Sequence, residues 1–216
     1  MDCSILELTT NINKLTLTPE KEHFEYKFKK LEDILIKNKM NYKNEIIKEK
    51  TLKDAHIYCK INFLSGQLSG PLIEYYIITQ NNMKKNNASD CNGDVLYDNN
   101  NIEIKISLGG KNNNKFNYVQ LRMNHECSYI LTAYYIDETN IKNLGELFIF
   151  KLIKEELIDL IKKYGNYAHG TKKKLGEITI DNLKDITNNK EYSIRPKVGD
   201  DCWKTLLQFR INEISI

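Results

Sequence analysis

The sequence predicts an α/β chain with a helical N-terminal third, and three stretches carry that prediction. Phe24, Phe28, Leu31 and Leu35 recur at steps of four, three and four residues, the spacing of one buried helix face. Ile102, Ile104 and Ile106 alternate with Glu103 and Lys105, the period of a strand. Tyr129-Ile130-Leu131-Thr132-Ala133-Tyr134-Tyr135-Ile136-Asp137 is an unbroken β-prone, mostly apolar run, as the inside of a sheet requires.

Bulk properties narrow the class. At 216 residues with 41% hydrophobic content, the chain can build one sizeable core, so a single domain over residues 1–216, or one domain with a small helical appendage, is expected. No apolar run approaches the length of a membrane span. The start, Met1-Asp2-Cys3-Ser4, lacks the basic and apolar segments of a signal peptide, which predicts a cytoplasmic protein. Cys3, Cys59, Cys91, Cys127 and Cys202 are odd in number and scattered. With the four His they show no zinc-site spacing, so packing thiols are expected. A net charge of +3 means that any nucleic-acid contact needs a local basic surface. Only Arg122, Arg195 and Arg210 supply the planar fork suited to phosphate or guanine.

Residues 1–17 read as an irregular lead-in. Thr18-Pro19-Glu20 is a helix start, with a cap, a first-turn proline and an acid at the positive end of the dipole. That helix runs to about residue 38, and two more are expected over residues 43–50 and 52–63. Ser69-Gly70-Pro71 opens another, with Leu72, Ile73, Tyr76 and Ile77 as its buried stripe and Glu74 in its first turn. Residues 81–92 are polar and read as a loop. Two short strands follow around the turn at residues 98–101. Residues 116–123 fit strand or helix equally. Strands are expected at residues 129–137 and 146–152, then a helix over residues 154–164. Residues 164–176 form a turn-rich basic loop, and residues 178–186 a short strand and helix. A strand at residues 192–197 and a C-terminal apolar element around Trp203 complete the chain.

The hairpin after residue 93 is where chemistry is concentrated. Its turn folds Asp94 back toward Glu103, and period two puts Glu103 and Lys105 on one face. Two carboxylates suit a hard divalent cation such as Mg²⁺, which stabilises phosphate charge and makes a nucleophile of bound water near neutral pH. Gly109-Gly110-Lys111 lacks the rest of a phosphate-binding loop, so no nucleotide cofactor is expected.

Asp94 followed by Glu103-Ile104-Lys105 resembles the PD-(D/E)XK nuclease motif, with Gly93 at the place of its proline. The order of elements over residues 69–164 is similar to the core of restriction-type members. Gln120-Leu121-Arg122 ahead of the strand at Tyr129 is similar to a segment of some type II restriction endonucleases. The resemblance implies a central mixed sheet flanked by helices and a catalytic core over residues 69–164. It also implies Mg²⁺-dependent hydrolysis of double-stranded DNA at a short, palindromic site by a homodimer. Asp94 and Glu103 would bind the metal, Lys105 would orient the attacking water, and Glu74 would support the metal through a water.

Residues 165–216 would then supply recognition. Loops on a rigid scaffold carry such groups. Lys172, Lys173 and Lys174 suit phosphates, while Asn166, His169 and Thr171 suit base edges. Gln120, Arg122 and Arg195 join them as expected DNA contacts. Two alternatives stay open: another nuclease of the same core, for repair or junction cleavage, and a non-catalytic binding module whose hairpin charges face water.

Overall fold

The computed structural model describes residues 41–87, 92–109 and 114–214. The chain divides into two compact units, Met1–Glu45 and Ile46–Ile216. The helix expected from Thr18 to about residue 38 lies outside the described residues. So do Cys3 and Cys91.

In the second unit, α1 (Leu52–Ile61) starts at Thr51, whose hydroxyl accepts the Asp54 N–H at 3.1 Å. α2 (Gly66–Gln80) begins five residues earlier than Pro71 predicted and runs through that proline. Leu68 and Ser69 N–H already bond Ser65 C=O, so a helical turn is closed before the proline is reached. Leu72, Ile73, Tyr76 and Ile77 are buried as the spacing predicted.

The main sheet has the order β1 (Lys84–Lys85), β2 (Val95–Tyr97), β3 (Asn100–Ser107), β5 (Ser128–Tyr135), β6 (Glu146–Leu152) and β9 (Arg210–Ile211). β3 and β5 are parallel and every other pair is antiparallel, so the sheet is mixed. Their parallel connection passes through β4 (Tyr118–Arg122), which forms a second sheet with β8 (Glu191–Ile194) and β7 (Asn166–Tyr167). β1 is a strand inside the stretch read as loop, and β4 resolves the ambiguity at residues 116–123.

Helices cover both faces of the main sheet. Thr132 and Tyr134 of β5 face α1, where His56 Nε2 lies 3.0 Å from Thr132 Oγ1 and its ring 5.9 Å from that of Tyr134. The opposite residues, Tyr129, Leu131, Ala133 and Tyr135, join a core with β4, β8, α3 (Lys154–Tyr164) and α6 (Asp201–Leu206). Trp203 on α6 closes that core: its ring lies 5.1 Å from Phe116, 4.9 Å from Phe148 and 5.5 Å from Phe150. Two short helices, α4 (Lys172–Leu175) and α5 (Ile180–Lys184), complete the unit. No strand forms ahead of α5; residues 177–179 have no regular structure.

Candidate functional site

The hairpin is built by its turn. Tyr97 pairs with Asn100, leaving Asp98 and Asn99 as a two-residue loop with φ of +46° and +62°. Asp and Asn are the side chains that tolerate this left-handed pair, and such turns match the twist of a hairpin. The register pairs Val95 with Ile102, and continuing it by one residue sets Asp94 across from Glu103. Asp94 N–H bonds Ile102 C=O at 2.9 Å, while its carboxylate Oδ2 accepts the Ile104 N–H at 2.8 Å. The Asp94 side chain thus replaces a backbone partner on β3 and is fixed beside Glu103.

Gly93 explains why no proline stands there. Its φ is +71°, and a Cβ would lie 2.8 Å from both the carbonyl carbon and oxygen of Ile102. Proline cannot reach that dihedral, and any side chain would collide with the backbone of β3.

Glu103 is only 5% exposed, because β3 lies between β2 and β5 rather than at an edge. Its Oε1 forms an ion pair with Lys105 Nζ. Glu103 is thus shielded from water, while Lys105 is half-buried. Burial, and then the Glu103 charge, push the Asp94 carboxyl up from 3.8 to about 6. Lys105 and the Ile104 N–H pull it back in part, and Glu74 adds to the rise. The donor chemistry fits a hard divalent cation: oxygen ligands whose negative charge one ammonium only partly offsets.

Glu74, Lys105, Asn117 and Gln120 line one cleft of about 240 Å³ between α2, β3 and β4. Glu74 also pairs with Lys85 on β1 at 3.1 Å. Gln120 has a φ of +56° within β4, where the pairing with β8 shifts register between Tyr118 and Leu121. A non-glycine residue held left-handed inside a strand is strained, and the bulge places it on the cleft wall. Arg195 Nε donates to Asn117 Oδ1 at 3.0 Å, which sets it beside the same wall.

The other expected DNA contacts lie elsewhere. Arg122 donates twice to Glu191 Oε1, at 2.9 and 2.6 Å, and so ties β4 to β8. His169 Nε2 is 3.3 Å from the other Glu191 oxygen. Asn166 begins β7 and is exposed, with its backbone paired to Ser193. Thr171 precedes α4, and Lys172 pairs loosely with Glu177 at 3.6 Å. Thr171 and Lys173 are exposed. Gln120 therefore lines the cleft beside Glu74 and Lys105, and Arg195 bonds Asn117 on its wall. Arg122 instead ties β4 to β8, Asn166 lies on β7, His169 reaches Glu191, and Thr171, Lys172 and Lys173 lie at α4.

No family model, curated protein or solved structure matches this chain. The residues themselves therefore carry the reading.

Two of them escaped sequence reasoning. His125 and Cys127, in the turn before β5, bring ligand atoms within 4.8 Å of one another and of a Glu103 oxygen. His125 Nδ1 lies 3.7 Å from Glu103 Oε2, beyond hydrogen-bond reach. Burial lowers the His125 pKa and pushes the Cys127 thiol up to about 12. The signal was His-x-Cys ahead of Tyr129: period two puts both side chains on the Tyr129 face, and β5 pairs Tyr129 with Glu103.

Proposed function

We propose that the chain is a type II restriction endonuclease, cutting double-stranded DNA at a short specific site with a divalent cation. The observation that carries this reading is the Asp94 carboxylate, fixed by the Ile104 N–H next to the buried Glu103–Lys105 pair. The raised Asp94 pKa supports it, since carboxylates crowded in a buried site favour a cation. Asp94 and Glu103 would hold Mg²⁺, which when bound supplies charge stabilisation at the phosphate and acidifies water.

The chain's own groups do the rest. Lys105 Nζ, anchored by Glu103, points a donor at the cleft where the attacking water oxygen meets phosphorus. As the water oxygen bonds phosphorus it releases a proton to solvent, the P–O3′ bond breaks, and the 3′ oxygen takes a proton from solvent, leaving 5′-phosphate and 3′-hydroxyl ends. Glu74 stands on the same cleft and orients water. Gln120 and Arg195 meet the DNA beside the cut, one through its strained backbone position, the other as a cation. Arg122 shapes the wall by bracing β4. Palindromic sites are read by two-fold proteins, so the acting species is a homodimer, and the protein works in the cytoplasm. Among the described residues no helix is long and apolar enough to cross a membrane.

Plasmid digestion with Mg²⁺ and sequencing of the ends tests this. One defined cut site is expected, lost with chelator and lost in Glu103→Ala and Lys105→Ala while DNA binding persists. Cuts scattered without a common sequence point to a repair or junction nuclease of the same core. No cutting by a folded chain overturns the reading.

A further inference from the structure

The turn that precedes β5 holds donors that the hard-cation pair does not use. Glu103 sends Oε1 to Lys105, which leaves Oε2 facing His125. His125 is 9% exposed, and its Nδ1 has no hydrogen-bond partner. Next to it, Asn124 Oδ1 is buried and equally unsatisfied. Buried polar atoms without partners are rare and call for an explanation such as an ion. Cys127, two residues before Tyr129, is buried too, and its thiol lies within 4.8 Å of a His125 ring nitrogen and a Glu103 oxygen.

Carboxylate, imidazole and thiol form a mixed donor set. Mg²⁺ avoids sulfur, whereas Zn²⁺ takes oxygen, nitrogen and sulfur together. Three protein donors would leave a fourth position for water or another ligand.

We infer that Glu103, His125 and Cys127 form a site for a borderline-soft transition-metal ion, of which Zn²⁺ is the type. Binding replaces the S–H bond of Cys127 by a sulfur–metal bond and sends the proton to solvent. The site does not depend on the nuclease reading. One consequence does: because Glu103 belongs to both sets, a zinc ion here draws that carboxylate away from Asp94 and inhibits Mg²⁺-dependent cutting.

Zn²⁺ titration of the purified chain against a chromophoric chelator tests the site, with Co²⁺ absorption as a second readout. The wild type and Asp94→Asn should both compete for zinc and give a thiolate-to-cobalt charge-transfer band. Cys127→Ser should lose the band, and both it and His125→Asn should weaken zinc binding by more than about tenfold. Circular dichroism confirms folding; should Cys127→Ser fail to fold, His125→Asn decides alone. Absence of zinc binding by the wild type, or binding unchanged in the folded variants, overturns the inference. A chain that binds zinc at these residues but never cuts DNA with Mg²⁺ keeps the site and loses the nuclease. A chain that cuts but ignores zinc does the reverse.

Discussion

Gly93 is required by the backbone around it rather than by any group it offers. Because its φ is +71° and a Cβ would press on Ile102, Gly93→Ala must shift β2 or β3 and carry Asp94 with it. The expected cost is about 2 kcal/mol of stability, read from denaturant unfolding, together with lost cutting. A variant as stable and as active as the wild type would show that the hairpin does not need this turn. Lys105→Ala should slow cleavage of plasmid DNA by about a hundredfold or more, read from initial rates on a variant confirmed to be folded. His56 sets a pH dependence of its own. Its Nδ1 donates to Leu52 C=O at 2.7 Å, its Nε2 accepts from Thr132, and burial lowers its pKa from 6.5 to about 4. Between those values the unfolded chain binds the proton first, so stability is full above the upper value and falls as pH drops toward the lower. The loss amounts to roughly 3 kcal/mol. Asp94, raised from 3.8 to about 6, acts oppositely, losing stability as pH rises through that range. Comparing wild type with His56→Gln cancels the Asp94 contribution. A shallower acid-side loss is expected in the variant, and parallel pH profiles would rule the histidine out.

Among the elements, β4 shows what a sequence hides. Its alternation is broken at Gln120 by a left-handed residue, so no period could separate strand from helix. β6 and α3 were legible to the residue because continuous apolar packing and a 3.6-residue stripe leave no competing arrangement. β1 and β7, two residues each, exist only because a longer strand lies alongside, and that partner is invisible locally. The candidate site divides the same way. Asp94, Glu103 and Lys105 follow from a turn and a period, while His125 and Cys127 reach Glu103 through a parallel pairing that only the folded chain reveals. Arg122 was expected at DNA and is found bracing Glu191. Arg122→Ala and Glu191→Ala should each cost about 1 kcal/mol, the pair being partly exposed, and the double variant should cost little more than either. Additive losses would instead mean that the ion pair does not brace the sheet. Replacing Lys172, Lys173 and Lys174 by Ala should weaken DNA binding and lower the slope of log affinity against log salt by about two to three. An unchanged slope would remove α4 from the interface.

At the scale of the molecule, Trp203 joins the C-terminal helix to β6 and to Phe116, the residue that leads into β4 and the cleft wall. Trp203→Ala should cost about 3–5 kcal/mol and abolish cooperative melting at ordinary temperatures. The fold class was legible because hydrophobic patterning fixes which elements form. The second sheet was not, since it is assembled from segments that meet only through residues far apart in the chain. The parallel seam between β3 and β5 has one more effect. Residues 102–107 of β3 are matched to residues 128–133 of β5, beyond the reach of any short peptide. A synthetic fragment spanning the hairpin alone would therefore lack its main support, and the acidic pocket could not be transplanted by grafting that loop onto another scaffold. It must travel with the crossover that encloses it.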